Sequence, residues 1–108
     1  MTYQTIKTAA FEEDLDEALS YLVSVLHTPK AATNLIKEIQ HASTTLETMP
    51  FIRAVSRRAP LRYHEYREYP VAGYVIVYRV QGKTVYFLRL FHQSQHYERF
   101  VMSWNSEN

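Results

Sequence analysis

Apolar residues in the first half of the chain recur at spacings of three and four, a pattern that indicates amphipathic helices. The first apolar stripe comprises Phe11, Leu15, Ala18, Leu19, Leu22, Val25 and Leu26. The second stripe comprises Ala32, Leu35, Ile36, Ile39, Ser43, Leu46 and Met49. Because so few residues separate the two stripes, we expect an antiparallel helical hairpin whose stripes form part of the core.

Capping residues, acidic residues and prolines indicate where these helices should begin and end. Thr8 is the candidate N-cap of the first helix, which should end near His27. The first turn is expected to carry negative charge, which the helix dipole favours, on Glu12, Glu13 and Asp14. Thr28-Pro29 begins the second helix, with proline where its missing N–H costs nothing, and Pro50 closes it.

In the remaining segments, apolar residues recur at every second position, which predicts strands. Tyr3–Lys7 alternates and should form a short strand before the hairpin. After an irregular arginine-rich link at 51–60, residues 61–69 alternate weakly, with every second side chain from Tyr63 to Tyr69 on one face. Residues 74–80 and 84–91 are rich in β-branched and aromatic residues and predict two strong strands.

The order of these elements predicts an α+β fold. Gln81-Gly82 is the expected hairpin turn, and the strand at 84–91 should be central. Residues 92–101 are expected to form a short helical turn. We therefore predict an N-terminal strand and a two-helix antiparallel hairpin packed on one face of a mostly antiparallel four-stranded sheet.

Composition narrows the class of protein. A chain of 108 residues with 46% hydrophobic residues suits a single globular domain spanning 1–108. With no cysteine, it has neither a disulfide nor a thiolate zinc site. The N-terminus lacks the features of a signal peptide, and the longest nearly apolar stretch, 19–26, is too short to span a bilayer. We expect a cytoplasmic protein with no membrane contact.

Charge is divided unevenly along the chain. Residues 1–50 hold three cations and seven anions, whereas residues 51–108 hold nine cations and four anions. Five of the eight arginines fall within fifteen residues: Arg53, Arg57, Arg58, Arg62 and Arg67. This basic segment is either a solvated face that pairs with the acidic helices or an electropositive surface for RNA, DNA or an acidic protein segment.

Several short motifs occur in a characteristic order. They are Thr-x-x-Phe-x-x-Asp-Leu (8–15), Leu-x-x-x-Pro (46–50), Tyr66-Arg67, Val71, Gly-Tyr-x-x-x-Tyr (73–78), Arg-Leu-Phe-His-Gln (89–93) and Tyr97. In this order they resemble the RelE/ParE family of toxins from bacterial type II toxin–antitoxin systems, over nearly the whole chain. The resemblance implies a stress or plasmid-maintenance toxin without a cofactor, neutralised by a cognate antitoxin encoded beside it, as a homodimer or a toxin–antitoxin hetero-oligomer.

The family contains two kinds of toxin, and the RelE kind cuts mRNA in the ribosomal A site without a metal. Such cleavage needs a general acid, a base and cations around the phosphate. The resemblance then implies His92 as general acid, Arg67 and Arg89 as phosphate clamps and Glu65 as base. The alternative for His92 is that it orients the C-terminal turn through a backbone hydrogen bond.

The ParE kind inhibits DNA gyrase, and two departures favour it here. Some ribonuclease members carry arginines where this chain has Pro70-Val71-Ala72 and Gln93. We therefore expect a toxin that acts by binding, with an mRNA endoribonuclease or a detoxified binding relative as the alternatives. The residues expected to bind the target or nucleic acid are Arg53, Arg57, Arg58, Arg62, Tyr66 and Tyr97.

Two further points concern ligands. His92 and His96 are four residues apart, but no third ligand follows at a suitable spacing, so no metal site is predicted. The antitoxin is expected to offer an acidic or amphipathic helix, or a strand added to the edge of the sheet. Tyr97 either stacks on a base or packs the last turn onto the sheet.

Overall fold

The computed structural model describes residues 2–57 and 61–95 and has the predicted α+β architecture. Its elements are β1 (Gln4–Lys7), α1 (Ala9–Ser20), a π-helical turn (Tyr21–Val25), α2 (Pro29–Thr48), a 3-10 helix (Leu61–His64), β2 (Arg67–Val71), β3 (Tyr74–Gln81) and β4 (Thr84–His92). The strands are ordered β1-β4-β3-β2, with β1 parallel to β4 and the other neighbours antiparallel. As predicted, β4 is a central strand.

Thr8 caps α1 and also ties it to the sheet. Its Oγ1 accepts a hydrogen bond from the Phe11 N–H at 3.2 Å and lies 2.9 Å from the Phe87 carbonyl, to which it donates. Of the three acidic residues predicted for the first turn, only Glu12 lies in it, and Glu13 follows that turn. Asp14 is not in that turn, because α1 begins at Ala9, and its carboxylate contacts β4 instead.

The end of the first helix differs from the prediction. A π-helical turn takes more residues per turn than an α-helix, so a spacing of three and four no longer keeps side chains on one face. Val25 and Leu26, predicted in the core, are 58% and 48% exposed. Thr28 directs its N–H and its hydroxyl to the Leu22 carbonyl rather than capping α2, whereas Pro29 occupies the first turn of α2 as expected.

The helices cover one face of the sheet and build the larger core. Its buried residues are Phe11, Ala18, Leu22, Ala32, Leu35, Ile39, Ala42, Leu46, Val71, Ile76, Tyr78, Val85, Phe87 and Leu90. Burying a leucine or isoleucine side chain here contributes about 1.5–3 kcal/mol. Ile36 and Met49, which the helical spacing placed in the core, are exposed on α2 and just after it.

A smaller core lies on the other face of the sheet and corrects the predicted strand at 61–69. Residues 61–64 form a 3-10 helix, and Glu65 has a φ of 58°, which an extended strand does not allow. This bend lets Leu61 and Tyr66 pack on Val77 and Phe91. The strand therefore begins later, at Arg67, because burial of Leu61 and Tyr66 overrides the weak alternation.

Both hairpin turns place left-handed residues where the chain reverses. Ala72 and Gly73, between β2 and β3, have φ values of 47° and 85°, as a type I′ turn requires. The second turn uses Gly82 and Lys83, one residue later than predicted, because Gln81 already pairs with Thr84. Gly82 has a φ of 60°, so glycine takes the left-handed position in this turn too.

A β-bulge in β4 decides which side chains face the helices. Val77 pairs with Arg89 and Tyr78 pairs with Phe87, so Leu88 is an extra residue in β4. Phe87 faces the helices, and strict alternation would send Arg89 into the same core. The extra residue instead places Leu90 in that core and Phe91 in the smaller core behind the sheet.

Asp14 joins α1 to β4 beside this bulge. Its carboxylate accepts hydrogen bonds from Arg89 Nε at 2.7 Å and Nη2 at 3.0 Å, and from the Leu90 N–H at 2.9 Å. The side chains of Arg89 and Asp14 are 26% and 13% exposed, so solvent screens the ion pair only in part. A two-point guanidinium–carboxylate contact also fixes the orientation of both groups.

Tyr78 anchors the segment that follows α2. Its ring is buried, and its hydroxyl donates a hydrogen bond to the Pro50 carbonyl at 3.1 Å. Burial raises the pKa of the Tyr78 phenol to about 12, and the positive charges of Arg67 and Arg53 offset that shift only in part. The neutral phenol is therefore the form that the fold stabilises.

The two edges of the sheet differ. At the outer edge of β2, Val55 forms a bridge with Arg67, the Ser56 N–H donates to the Tyr66 carbonyl at 2.8 Å, and Pro70 has no N–H to offer. At the other edge, beside β1, the N–H groups of Gln4 and Thr8 donate to the carbonyls of Lys83 and Phe87. Alternation turns the backbone of Thr5 and Lys7 outward, and no strand in residues 2–57 or 61–95 pairs with it.

We predict that Asp14→Ala lowers the free energy of unfolding by roughly 2–3 kcal/mol, because Arg89 and the Leu90 N–H both lose their acceptor. Urea denaturation monitored by circular dichroism measures the change. Asp16→Ala is the matched control, since Asp16 is an exposed residue of the same helix. Equal stability of the two variants would show that Asp14 has no such role.

We also predict that the free energy of unfolding falls as the pH rises from 10 to about 12, the interval between the ordinary and the raised pKa of Tyr78. The unfolded chain loses the phenolic proton first, so the stabilisation is complete below pH 10 and is lost through the folded pKa. The loss from this group amounts to roughly 2–3 kcal/mol.

Denaturant titrations of the wild type and Tyr78→Phe across this pH range test the second prediction. Burial also raises the pKa values of Tyr66 and Tyr74, so the variant should keep part of the alkaline loss. Tyr78→Phe itself should cost about 1–2 kcal/mol at neutral pH, since the Pro50 carbonyl loses its donor. Identical alkaline slopes for the two proteins would contradict the assignment.

Candidate functional site

His92 lies at the end of β4 with its ring exposed and held by neighbouring residues. Its Nδ1 accepts a hydrogen bond from the Ser94 N–H at 3.2 Å and lies 2.7 Å from the Ser94 hydroxyl. Because Nδ1 is an acceptor, the neutral ring carries its proton on Nε2. The edge of the ring meets Tyr74, with the ring centroids 5.3 Å apart. These contacts orient both the ring and the turn after β4.

Arg67, a proposed partner of His92, lies two strands away, at the start of β2. In the strand register, His92 is opposite Tyr74 while Arg67 is opposite Tyr78. Four residues of strand separate the two positions by about 14 Å along β3, and two strand spacings add about 10 Å across the sheet. Glu65 is exposed and lies two residues before Arg67. Arg67 is therefore too far from His92 to join it in a catalytic cluster. Glu65 lies near Arg67 in the chain rather than near His92.

Arg89 is nearer to His92 in the chain but is engaged elsewhere. Its guanidinium is bound to Asp14 and lies over the Phe91 ring, 4.9 Å from the ring centroid. The carboxylate already balances the positive charge of such an arginine, so less of that charge is available to hold a phosphate. The four residues predicted for RNA cleavage, His92, Arg67, Arg89 and Glu65, therefore do not form one site.

The residues predicted to bind a target are also placed unequally. Tyr66 is fully buried in the smaller core, so its ring is not available to a partner. Arg53, Arg57 and Arg62 are exposed. Arg58 and Tyr97 lie outside the described residues, as does most of the helical turn expected at 92–101. In the described part of that turn, β4 continues through His92 before a turn at 93–94.

A mixed apolar and basic surface lies where α2 meets β2, and we call it the α2–β2 surface. It comprises Met49, Phe51, Ile52, Arg53 and Arg67. Met49, Phe51 and Ile52 are 50%, 56% and 51% exposed. The guanidinium of Arg67 lies over the Phe51 ring, 5.0 Å from its centroid. Large apolar side chains beside arginines are typical of protein-binding surfaces.

Hydrogen bonds fix this surface to the sheet. Arg53 Nε donates to the Glu68 carbonyl at 3.1 Å, and Arg67 Nη1 donates in return to the Arg53 carbonyl. The Tyr3 ring meets Phe51 edge-on, with centroids 6.1 Å apart. Ile52, Arg53, Tyr69 and Pro70 line a pocket of about 390 Å³ beside it. Phe51 and Ile52 are not among the residues predicted from the sequence. The available signal is that two apolar residues stand beside an arginine in a link without helical or strand periodicity.

The described part of the chain has neither a cluster of metal ligands nor a membrane-spanning helix. In residues 2–57 and 61–95, no three histidine or carboxylate side chains come together in a way that suits a metal ion. Within the same ranges, neither helix has the length and apolar character needed to cross a membrane.

Two solved structures with the same fold come from toxin–antitoxin systems. One chain, from the chromosomal ParDE system of P. aeruginosa, has a TM-score of 0.65 and 19% identity, and the match covers 84% of this chain and 96% of that one. Another, from the RelBE2 toxin–antitoxin complex of Mycobacterium tuberculosis, has a TM-score of 0.58 and 18% identity, covering 86% and 100%. At these identities the likeness is one of fold.

Family comparison is more specific than these structural likenesses. No curated protein matches the sequence. The family described as "ParE toxin of type II toxin-antitoxin system, parDE" matches residues 6–97, which is most of the chain. The order of motifs from Thr8 to Tyr97 falls within that range. The chain therefore belongs to the ParE toxin family of type II toxin–antitoxin systems.

Proposed function

We propose that this toxin inhibits a DNA gyrase or related topoisomerase by binding to it, and that a cognate antitoxin neutralises it. The observation that carries the proposal is the separation of the residues that RNA cleavage would need. His92 and Arg67 lie two strands apart and four residues apart along β3, and Arg89 is paired with Asp14. Membership of the ParE toxin family supports inhibition by binding, since that family takes its description from the parDE system.

The chemistry of phosphate transfer explains why this separation matters. Metal-free RNA cleavage needs an acid, a base and cations within hydrogen-bonding reach of the same phosphate. Losing one donor to the transition state typically costs about 3–4 kcal/mol of stabilisation. A binding toxin needs no such cluster, because its effect depends on the complementarity of its surface to the target.

An antitoxin partner is part of the same proposal. Two solved structures with this fold are described as a toxin–antitoxin system and a toxin–antitoxin complex. In this chain, exposed apolar and basic side chains lie together on a fixed surface, as a protein partner requires. The antitoxin would cover such a surface and so prevent toxicity.

A ribosome-dependent endoribonuclease is the second candidate, and one observation favours it. The ring of His92 is exposed and oriented, with Nδ1 occupied as an acceptor and the proton on Nε2. A histidine ring oriented in this way acts as a general acid when it carries a second proton, as imidazolium.

We predict that His92→Ala still arrests growth when expressed in a bacterial host without antitoxin, to within about twofold of the wild type, because binding rather than proton transfer causes the inhibition. The measurements are viable counts, gyrase-cleaved DNA in vitro and the integrity of cellular mRNA. The wild type should raise DNA cleavage by gyrase and leave mRNA intact. Lys37→Ala, at an exposed position on α2, is the control.

Three outcomes separate the alternatives. Cleavage of mRNA at codon boundaries that disappears in His92→Ala would identify an endoribonuclease and overturn the proposal. Absence of any growth effect from the well-expressed wild type would indicate a detoxified relative. Arrest with intact mRNA and cleaved DNA in both proteins supports a topoisomerase inhibitor.

A further inference from the structure

A pocket of about 420 Å³ lies on the face of the sheet that points away from the helices, and we call it the Arg79 pocket. Tyr78 and Val80 pack in the larger core, so Arg79, which stands between them in β3, faces the other way. Arg79 is opposite Tyr86 of β4 in the strand register, and both side chains line the pocket. The other lining residues are Thr8, Gln81 and Leu88.

The guanidinium of Arg79 is partly buried, and no carboxylate balances its charge. In residues 2–57 and 61–95 it takes part in no hydrogen bond and no ion pair. Burial raises the pKa of the Tyr66 phenol, and the positive charge of Arg79 offsets that shift in part, so the cation lies near the smaller core. A cation partly withdrawn from water is stabilised by a ligand that brings an acceptor to it.

A second hydrogen-bond donor stands beside this guanidinium. Side chains that are directly opposite in antiparallel strands have Cβ atoms about 4.5–5.5 Å apart, so Arg79 and Tyr86 are immediate neighbours. Within the described part of the chain, the Tyr86 hydroxyl has no hydrogen-bond partner. Two adjacent donors without acceptors suit a ligand with two acceptor oxygens, which a carboxylate provides.

Apolar side chains border the two donors. Leu88 lines the pocket and is partly buried against the smaller core. Ile6 of β1 is opposite Tyr86 in the register, so it lies on the same face, and it is 36% exposed. A protein segment with an acidic side chain and apolar neighbours satisfies both the donors and this apolar border.

Nucleic acid fits the pocket less well than such a segment does, because affinity for a phosphate backbone depends on several cations. The other strand cations are engaged or lie elsewhere. Arg89 is paired with Asp14, and Arg67 belongs to the α2–β2 surface. Lys7 is opposite Phe87, which faces the helices. The strands therefore give the pocket one uncompensated cation, which matches one carboxylate.

The position of the pocket favours the target over the antitoxin as the partner. In the proposed function the antitoxin covers the α2–β2 surface, whose Arg67 is opposite Tyr78 and so lies on the helical side of the sheet. The Arg79 pocket lies on the other side. A partner bound at the α2–β2 surface therefore leaves the pocket open to the target.

We propose that the Arg79 pocket binds an acidic side chain of the target topoisomerase. The carboxylate accepts hydrogen bonds from the Arg79 guanidinium and the Tyr86 hydroxyl, and the apolar groups beside it pack on Leu88 and Ile6. The inference rests on the proposed function, because it needs a protein target. It adds a place of contact on the toxin and the chemistry that the target presents there.

The test measures the affinity of the full-length toxin for purified DNA gyrase by surface plasmon resonance, at low and high salt. Arg79→Gln removes the charge, Arg79→Lys keeps the charge without the planar fork, and Tyr86→Phe removes only the hydroxyl. Two matched controls make similar changes at exposed positions: Lys37→Gln on α2 and Tyr21→Phe in the π-helical turn. Affinities for the purified product of the adjacent reading frame and for RNA and DNA oligonucleotides are measured in parallel.

We predict that Arg79→Gln weakens gyrase binding by about tenfold or more and that Arg79→Lys restores part of the loss. Tyr86→Phe should weaken binding by about threefold, as the loss of one neutral hydrogen bond does. The effect of Arg79→Gln should shrink at high salt. The two controls, and antitoxin binding by every variant, should stay within about twofold of the wild type.

Thermal unfolding checks that each variant is folded. Arg79→Gln should melt near the wild-type temperature, because the described part of the chain gives Arg79 no partner to lose. If Arg79→Gln nevertheless unfolds, the comparison of Tyr86→Phe with Tyr21→Phe carries the test.

The contrary results are distinct. Folded Arg79→Gln that binds gyrase as the wild type does overturns the inference, as does equal weakening by Lys37→Gln. Loss of antitoxin binding alone would assign the pocket to the antitoxin, and loss of oligonucleotide binding alone would assign it to nucleic acid; either result overturns the inference. A wild-type toxin that does not bind gyrase would instead refute the proposed function itself.

Discussion

The carboxylate of Asp14 holds the first helix against the central strand, beside the bulge that assigns the side chains of β4 to the two cores. It reaches Arg89 and the Leu90 N–H just past the bulge, where β4 changes which side chains it turns toward the helices. Without the extra residue, a guanidinium and an aromatic ring would enter the space that Leu90 fills. The pair thus keeps a charged side chain at the margin of the core and satisfies it there.

Much of the fold follows from local patterns in the sequence. The two helical stripes, the Thr8 cap and the alternation in residues 74–80 and 84–91 each reflect burial of one face of one element. Such periodicity survives in the folded chain because the sheet offers a continuous apolar face to both helices.

Other features depend on contacts between distant segments and have no local signal. The π-helical turn and the bulge each insert one residue, which shifts the faces of everything beyond them, so Val25 and Leu26 turn out to solvent. At 61–66 the weak alternation competes with burial of Leu61 and Tyr66 behind the sheet, and burial prevails. The second apolar stripe also extends in sequence beyond the residues that the core buries, so Met49 belongs to the stripe but is exposed.

At the candidate site, the sequence predicts which residues have suitable chemistry but not how far apart they lie. The sequence identifies His92 and the arginines as chemically able residues, but their spacing along the chain does not reveal that the register separates His92 from Arg67. Nor does it reveal that Arg89 is neutralised by Asp14, a residue seventy-five positions away. Conversely, Phe51 and Ile52 gain importance only because Tyr78 fixes the link that carries them.

The unequal edges of the sheet have a consequence for self-association. The β2 edge is sealed by residues 53–56 and by Pro70, whereas the backbone of β1 turns Thr5 and Lys7 outward. A chain with a single receptive edge can pair with only one other through its main chain, and the product then has no edge left to offer. Growth into a fibril through main-chain pairing is thereby blocked at two copies.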